Sequence, residues 1–446
     1  MKTIHQVKVA GTDARNLGTL FIAVFFLPLV ILGFHSCTPG PESEEGIIIN
    51  IEEGLGNVRL ANLSEFADGV SYIPLETKVG LELRFIRRLV SRDTLFFATD
   101  GRTCILFTSA GKVLRKIGLK GRGPGEYNIA DQIDITSSKI LLIRDIFKLM
   151  EFDLQGEFLR SYDIFSRPIS SGTFGMWITL NDSVLFVNVR NDSGEEMLKA
   201  QVMNMNGRII KKYPNYIYFK PDKVGGIFTF SGISSLDRYA GKVSFKEAAN
   251  DTLFYLGNDL TLRPGFVFHM GKYKIGYMDL LNRTASSPDF AYTQDVFETD
   301  RSLFLILKGT CDSFRRATPI VEVVAGQGGQ VFEYENWYYN KGVLLMVVDK
   351  TTGRSFLNDV SRSEESIFKS GFINDLDGGP RFIPRFRMDE NRLVMPIEAY
   401  ELEQYIKSDE FREASVLHPE KKKALEELAN SLSESDNPVL MVVRMK

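Results

Sequence analysis

Residues 93–118 read DTLFFATDGRTCILFTSAGKVLRKIG. Three runs of aliphatic, aromatic and β-branched residues are separated by two polar turns, which contain Gly101 and Gly111. Glycine adopts positive φ without steric cost, so both turns are typical of tight connections between antiparallel strands. The stretch therefore predicts a three-stranded antiparallel meander.

The same pattern returns along the chain, at residues 139–162, 183–213, 242–268 and, less regularly, 302–354. The corresponding turn glycines Gly111, Gly156 and Gly207 are 45 and 51 residues apart. Four-stranded propeller blades repeat at about 40–50 residues, whereas helical repeats show apolar residues at a period of 3.6. Because that helical period is almost absent, the repeat favours a propeller.

The predicted fold is therefore all-β, a six-bladed β-propeller over residues 70–446. Each blade can bury both of its apolar faces only between two neighbours, and closing the ring removes the exposed ends. The competing interpretation, two separate β-sandwiches, requires a linker. We find no Pro/Gly/Ser-rich break between Val70 and the C-terminus.

The two ends of the propeller sequence are expected to complete one shared blade. Val70–Leu75 and Pro438–Met445 are the strand-like runs that would pair, joined by Asn391–Ile397. Pro74 suits an edge strand, where its missing N–H is not needed. A short helix at Pro419–Leu432 begins with proline in its first turn and is predicted as an insertion in the last blade, packed on one face of the ring.

The N-terminus predicts export. Met1–Ser36 has early basic residues and an apolar run that is short for a membrane span, as in a secretory signal peptide. Cys37 resembles the acylated cysteine of bacterial lipoproteins; the alternatives are an ordinary signal peptide or an uncleaved anchor. Residues 37–69 are then a lipidated acidic tether and linker. The expected location is the cell envelope, at the outer membrane, with surface exposure as a further option.

Charge and cysteine content exclude several classes of function. The net charge of −3 argues against nucleic acid as a partner, because phosphate binding needs a basic surface. Beyond Cys37 only Cys104 and Cys311 remain, and we expect both to be small buried apolar residues, with a disulfide between them as the alternative. Neither a CxxC motif nor a Cys/His spacing suggests zinc, and no cofactor is expected.

Three motifs resemble those of a known family. KIGLKGRGPGEY at 116–127, FINDLDGGP at 372–380 and NPVL at 437–440 are similar to segments of the six-bladed β-propeller lipoproteins of Gram-negative anaerobes. The first also resembles the link between blades in NHL-repeat propellers. The resemblance implies the fold and an envelope location, but no particular activity.

The glycine-rich motif supplies the first candidate site residues, Arg122, Glu126 and Tyr127. Its glycines predict a tight crossover between blades, in which the Glu126 carboxylate accepts hydrogen bonds from the turn. Contact with a ligand at the channel mouth is the functional alternative. A phosphate-binding loop is disfavoured, because a following helix and a terminal Lys-Ser/Thr are missing.

The second candidate group is Asn374, Asp375 and Asp377. Closely spaced oxygen ligands suit calcium, but this run lacks the further ligands of an EF-hand loop. We therefore favour a polar turn with Gly378 and Gly379, and a calcium site is the alternative. The three residues are also candidates for contact with a ligand.

No catalytic motif stands out in the sequence. His269 lies in an apolar strand and is expected to be a core residue. Aromatic-rich stretches at 213–219 and 334–339 suit recognition of sugars or proteins, or packing between blades. The predicted function is non-enzymatic binding or scaffolding for a glycan, a peptide or an envelope protein. The alternative is a hydrolase or lyase with a carboxylate or calcium site at the central channel.

Overall fold

The computed structural model describes residues 46–164, 173–191, 194–219, 234–247, 250–276, 289–309, 320–325, 331–336, 343–358 and 371–446. The predictions for the signal segment Met1–Ser36, for Cys37 and for Cys311 lie outside these residues.

The described chain forms six blades around a central channel, numbered I to VI in chain order of their innermost strands. It begins with β1 (Ile47–Asn50), helix α1 (Ile51–Gly56), β2 (Val58–Arg59), a 3₁₀ turn (Leu63–Glu65) and β3 (Ala67–Pro74). Blade I is β4 (Arg88–Arg92), β5 (Leu95–Thr99), β6 (Cys104–Thr108) and β7 (Val113–Ile117). A crossover carries β8 (Leu119–Lys120) and β9 (Glu126–Tyr127). Blade II is β10 (Gln132–Ile135), β11 (Leu141–Asp145), β12 (Lys148–Phe152) and β13 (Phe158–Tyr162).

The remaining blades follow the same order from the channel outward. Blade III is β14 (Thr173–Thr179), β15 (Val184–Arg190), β16 (Leu198–Asn204) and β17 (Ile209–Pro214). Blade IV is β18 (Ser234–Tyr239), β19 (Lys242–Glu247), β20 (Thr252–Leu256) and β21 (Leu262–His269), followed by a 3₁₀ turn (Gly271–Tyr273). Blade V contains β22 (Ala291–Glu298) and β23 (Ser302–Gly309), then a separate hairpin, β24 (Ile320–Ala325) with β25 (Val331–Asn336), and finally β26 (Val343–Asp349) and β27 (Ser355–Asn358).

Blade VI joins the two ends of the propeller. It orders β28 (Phe386–Arg387), β29 (Arg392–Ile397) and β30 (Val439–Met445) before β3 at the outer edge. In the antiparallel pairing of β30 with β3, Val443 is opposite Val70. The predicted closing blade is therefore confirmed, with Pro74 on an edge strand.

Apolar packing between adjacent blades closes the ring. The middle strands are nearly continuous apolar runs because both of their faces are covered; in β23 the first six residues are all buried. One apolar cluster lies at each of the six blade junctions. One residue pair represents each junction, in the order I–II, II–III, III–IV, IV–V, V–VI and VI–I. These pairs are Leu106 and Ile133, Leu142 and Trp177, Phe186 and Phe245, Phe268 and Leu305, Phe304 and Leu393, and Leu440 and Ile105. The six-bladed β-propeller is thus confirmed, and two separate sandwiches are excluded.

The chain joins the propeller earlier than the sequence predicts. Residues up to 69 were expected to form a linker, but β1 adds in parallel to β21 and β2 in parallel to β27, each as a fifth, outermost strand. Ile49 and Ile51 are fully buried in the cluster between blades IV and V. The sequence does not show this because each strand pairs with a partner more than 200 residues away.

Helices occupy the connection between β29 and β30. The predicted helix is present as Pro419–Ser431, with Pro419 in its first turn and Leu425 buried. Two shorter helices, Ala399–Ile406 and Asp409–Glu413, precede it and were not predicted. In chain order we call these three helices α2 (Ala399–Ile406), α3 (Asp409–Glu413) and α4 (Pro419–Ser431). Among the described residues, no helix combines the length and apolar character that a membrane crossing requires.

Candidate functional site

The two faces of the ring differ in the length of their connections. We call the face at which the innermost strands begin the upper face and the opposite one the lower face. Within each blade, the turns that join consecutive strands on the lower face have two to five residues. The upper face carries the long connections, including the hairpin β24–β25 and the segment 398–438 with all three C-terminal helices. Loops on one side of a rigid scaffold are where binding residues concentrate, so the upper face is the candidate functional face.

Ionic contacts cross the channel on its lower side. Arg387 of blade VI donates to both carboxylate oxygens of Asp237 in blade IV, at 3.1 and 2.8 Å, and to the carbonyl of Glu298 in blade V at 2.7 Å. Burial raises the pKa of Asp237, and the Arg387 charge opposes that shift. Arg238 of blade IV lies 3.8 Å from the Asp134 carboxylate of blade II. These contacts tie non-neighbouring blades together and obstruct the lower end of the channel.

A β-bulge in the innermost strand of blade III lies at the upper end of the channel. The register of β14 shifts between Phe174 and Trp177, at Gly175 and Met176. Bulges re-aim the backbone and recur next to functional sites. Here the Gly175 carbonyl accepts hydrogen bonds from Arg144 at 2.6 Å and from Gln132 at 3.3 Å.

A third basic side chain reaches the same bulge from blade I. The Arg88 guanidinium donates to the Met176 thioether sulfur at 3.0 Å. Blades I and III are not neighbours, so Arg88 must extend through the channel. Nothing in the sequence marks Arg88, Arg144 or Gln132 as site residues, because their spacing does not show that they converge.

The glycine-rich motif is the predicted crossover from the outer strand of blade I to the inner strand of blade II. Gly118 and Gly125 have φ of +63° and +74°. A Cβ on Gly118 would lie 2.7 Å from the Gly125 carbonyl oxygen. The Glu126 carboxylate accepts a hydrogen bond from the Gly123 amide at 2.8 Å, as predicted for the turn role.

The three candidate residues of this motif are placed differently. Arg122 is exposed on the upper face, and Glu126 is half-buried in the turn. Tyr127 is buried, and its hydroxyl donates to the Ile117 carbonyl at 2.6 Å and accepts from the Cys104 amide at 3.1 Å. Burial raises the pKa of Tyr127. Arg122 and Glu126 are thus accessible to a ligand, whereas Tyr127 joins blade I to the crossover.

Asn374, Asp375 and Asp377 lie in a polar turn under the helices. The Asp377 Oδ1 atom accepts from the Asn374 amide at 2.6 Å and from the Gly379 amide at 3.0 Å. It also accepts from the Tyr72 hydroxyl of the closing strand at 3.2 Å. Burial raises the pKa of Asp377.

Asp375 points to a different segment from Asp377. Its carboxylate accepts from the Ser64 amide at 2.9 Å and from the Ser64 hydroxyl at 2.5 Å. Since protein donors engage both carboxylates, these contacts favour the polar turn. In the part of the chain that the structure describes, no three His, Cys, Asp or Glu side chains are grouped as metal ligands.

The two aromatic-rich stretches have different outcomes. Tyr216 and Tyr218 are 77% and 61% exposed on the upper connection between blades III and IV, whereas Tyr213 is buried. Residues 334–336 belong to β25, and 337–339 lie outside the described residues. Other large apolar side chains exposed on the upper connections of blades I to III are Leu119, Ile129, Ile146, Phe147 and Met197.

The structure also tests the burial predicted for Cys104 and His269. Cys104 is fully buried in β6 and forms no disulfide, as expected, and burial raises the pKa of its thiol. The expectation of a core histidine at position 269 is wrong, because His269 is exposed at the end of β21. Its neighbours Phe268 and Met270 are buried, so the strand alternation turns His269 outward.

A buried lysine lies at the junction of blades IV and V. Lys246 is 2% exposed and donates to the Glu247 carbonyl at 2.6 Å. Burial lowers the pKa of Lys246 to about 8, against the opposing charges of Asp251 and Glu247. It borders a narrow crevice, also lined by Asp251, Tyr292 and Thr293. The sequence analysis did not identify this residue, since Lys246 lies within a regular strand.

Comparison with known proteins gives the family. The family described as Domain of unknown function (DUF4934) matches residues 46–444. The chain belongs to this family. The match starts at the residue where the described fold begins, one position before β1. No curated protein matches the chain significantly.

One solved structure supports the fold, and two others are more distantly similar. A Bacteroides fragilis protein that is described as exported shares 18% identity, with a TM-score of 0.60, covering 90% of this chain and 99% of its own. A DUF4221 family member from Bacteroides vulgatus shares 11% identity, with a TM-score of 0.46 and coverage of 85% and 97%. Virginiamycin B lyase from Staphylococcus aureus shares 11% identity, with a TM-score of 0.34 and coverage of 68% and 90%.

Proposed function

We propose that the protein is a cell-envelope lipoprotein whose propeller binds a ligand on its upper face, as a binding or scaffolding module rather than an enzyme. The observation that carries this proposal is the asymmetry of the ring. The turns within each blade on the lower face have at most five residues, whereas the upper connections include the segment 398–438 with three helices. Selection for a stable ring alone gives no reason for long insertions on one face only.

The channel contacts support access from the same face. Arg387 and Asp237 cross the lower side, and neither side chain is more than 14% exposed. On the upper side the rim presents Phe147, Tyr216 and Tyr218, each more than half exposed. Exposed aromatic side chains grouped on one face of a rigid scaffold suit contact with a sugar or a peptide. The proposed ligand is therefore a glycan, a peptide or a segment of another envelope protein.

The binding face can be tested with purified protein against a glycan array and a panel of envelope peptides. Phe147→Ala and Tyr216→Ala should each weaken the binding of any ligand that is found, because each substitution removes an exposed aromatic ring from the upper face. Leu159→Ala and Ile210→Ala remove side chains of similar exposure from the outer strands β13 and β17, and should leave binding unchanged. A ligand whose binding is weakened by Leu159→Ala or Ile210→Ala would contradict the proposal. Steady turnover of a glycan or an ester, abolished by one carboxylate substitution, would make the protein an enzyme instead.

The lipid anchor is a separate part of the proposal. It rests on the signal-like segment Met1–Ser36 and on Cys37 directly after it. Cys37→Ala should move the protein from the membrane fraction to the soluble fraction. If the variant still sediments with membranes, the tether is not a lipid on Cys37.

A further inference from the structure

Four exposed aliphatic side chains lie on the outer rim of blades IV and V. Ile47 and Ile48 belong to β1, the outermost strand of blade IV, and are 49% and 71% exposed. Val58 belongs to β2, the outermost strand of blade V, and Leu60 follows this strand; they are 51% and 45% exposed. We call these four residues the apolar edge.

The apolar edge carries more exposed aliphatic side chains than the rim of the neighbouring blades. The outermost strands of blades I, II and III each expose one large aliphatic side chain, namely Leu114, Leu159 and Ile210. Blades IV and V carry two each, and the turn between β26 and β27 brings blade V against β1, since a Cβ on Gly353 would lie 3.9 Å from the Ile48 carbonyl oxygen. Exposed apolar side chains that are grouped in this way mark contacts with a membrane or with another protein.

The cationic side chain within the apolar edge is already paired. Arg59 lies between Val58 and Leu60, and its guanidinium is 2.7 Å from the Glu65 carboxylate. The same guanidinium lies over the Phe356 ring, 4.0 Å from the ring centroid. A paired charge costs less to bring near an apolar phase than a free charge does. The apolar edge can therefore approach an apolar surface without leaving Arg59 unpaired.

The chain itself ties this edge to the proposed lipid anchor. Cys37 lies nine positions before Gly46, so the two residues are at most about 30 Å apart. Gly46 is held against blade IV, because a Cβ at this position would lie 3.2 Å from the Gly265 carbonyl carbon. Ile47 and Ile48 follow directly, so the apolar edge begins at the point where the tether joins the propeller. A short tether gives the edge a high effective concentration at the bilayer, so that a weak apolar contact is sufficient.

We infer that the apolar edge docks on the lipid bilayer that holds the anchor, with its aliphatic side chains at the boundary between head groups and acyl chains. The ring then stands on the rim of blades IV and V, and its channel runs along the plane of the membrane. Both faces of the ring stay open, so a ligand can reach the upper face from the side. This inference rests on the proposed lipid anchor and adds the orientation of the propeller on the membrane.

The test places a fluorophore at Ile48→Cys in the full mature chain, on phosphatidylcholine vesicles with and without nitroxide-labelled lipid. Cys104 is fully buried, and Cys311→Ser removes a further thiol. The nitroxide lipid should remove most of the fluorescence from position 48. Leu114→Cys is the matched control, because Leu114 is 48% exposed on blade I, across the ring from blade IV. Its label should keep the intensity that it has without nitroxide lipid.

Further substitutions test the side chains of the edge. Adding Val58→Ser and Leu60→Ser should restore most of the fluorescence at position 48, since buried apolar area drives this kind of docking. Leu159→Ser and Ile210→Ser remove side chains of 47% and 49% exposure from blades II and III, and should leave the quenching unchanged. Equal urea midpoints would show that all of these variants are folded.

A tether that needs no lipid on the protein separates failure of the edge from failure of the anchor. Hexahistidine replaces residues 1–37, and the chain is held on vesicles that contain a nickel-chelating lipid. Quenching at Ile48→Cys in this arm supports the edge, even if Cys37→Ala shows that the anchor is wrong. Equal quenching at positions 48 and 114, or none at position 48, overturns the inference and leaves the anchor to the Cys37→Ala result. A dimer in solution that Ile48→Ser abolishes would make the edge an interface between copies and would also overturn the inference.

Discussion

Tyr127 shows how one side chain can join two blades. Its hydroxyl takes both a donor, the Cys104 amide of β6, and an acceptor, the Ile117 carbonyl of β7. The ring lies in the apolar cluster between blades I and II. Tyr127 was a candidate for ligand contact because it ends the glycine-rich motif at 116–127. The burial of Tyr127 instead favours a structural role, with Arg122 and Glu126 remaining at the surface.

Tyr127→Phe removes this bridge without changing the packed ring. Two buried backbone groups would lose their partner, so the free energy of unfolding should fall by about 1–3 kcal/mol. Urea unfolding followed by tryptophan fluorescence measures the change. Tyr216→Phe, at a 77% exposed position, should leave the midpoint unchanged. Equal midpoints for the wild type and Tyr127→Phe would contradict the bridging role.

Glu398 is expected to make the stability of the fold depend on pH. Burial, reinforced by the nearby Glu401 charge, raises the pKa of Glu398 to about 7. Between its unfolded value near 4.5 and about 7, the folded state binds more protons than the unfolded state, so stability falls as the pH rises through this window. Glu398→Gln should remove that loss and stabilise the protein at pH 8 by up to about 3 kcal/mol.

Thermal unfolding of wild type and Glu398→Gln at pH 4.5 and pH 8 provides the measurement. The difference between the two proteins should be small at pH 4.5 and clear at pH 8. A wild type that is at least as stable as the variant at pH 8 would show that Glu398 titrates normally.

At the scale of elements, Asn437 links the last strand to the start of the first blade. Its side-chain amide donates to the carbonyls of Glu76 at 2.9 Å and Leu81 at 3.2 Å, and its oxygen accepts from the Leu83 amide at 2.7 Å. The segment from Glu76 to Leu83 leads from β3 toward β4. One buried amide therefore holds the connection between the closing blade and blade I.

Asn437→Asp keeps the shape of the side chain but replaces the donor with a carboxylate oxygen facing two carbonyls. At pH 7 the variant should lose about 3 kcal/mol or more of unfolding free energy, because one oxygen of a buried carboxylate would face two carbonyls, and the Leu83 amide alone would still donate to the side chain. Asn391→Asp, at an exposed turn position, is the matched control and should unfold at the wild-type urea concentration. If Asn437→Asp and Asn391→Asp unfold at the same urea concentration, the linking role of Asn437 is refuted.

The elements that could be predicted are those whose partners are close in sequence. The strands within residues 93–118 could be predicted because each glycine turn joins two strands that are neighbours in the same sheet. The closing blade was predictable because both ends carry strand runs without a local partner. In contrast, β1 pairs in parallel with β21 and β2 with β27. Each pair is separated by more than 200 residues, and no local sequence pattern indicates such a pairing.

The site was predictable only in part, for the same physical reason. The GRGPGEY crossover has its own signature, since its glycines and Glu126 interact within one turn. The Arg88 contact with Met176 spans 88 residues and crosses the central channel, so it depends on the curvature of the whole ring. Strand patterns determine which blades form, but not which side chains meet at the centre.

At the scale of the whole molecule, the first described residues decide where the domain begins. Ile49 and Ile51 are fully buried and Leu55 is 6% exposed between blades IV and V. Burying an aliphatic side chain contributes about 1.5–3 kcal/mol, so these three residues together should contribute about 4.5–9 kcal/mol. A segment with that contribution belongs to the propeller and not to a tether.

Two shortened chains test this boundary. A chain that begins at Gly46 retains β1, α1 and β2, and should unfold at the same urea concentration as the longer protein. A chain that begins at Asn62 lacks them, exposes Phe266 and Leu357, and should unfold at a clearly lower concentration with faster proteolysis at blades IV and V. Since the ring is still closed by β3 and β30, the Asn62 chain should keep its β-sheet circular dichroism. If the two shortened chains are equally stable, residues 46–61 act as a tether, and the fold begins near residue 62.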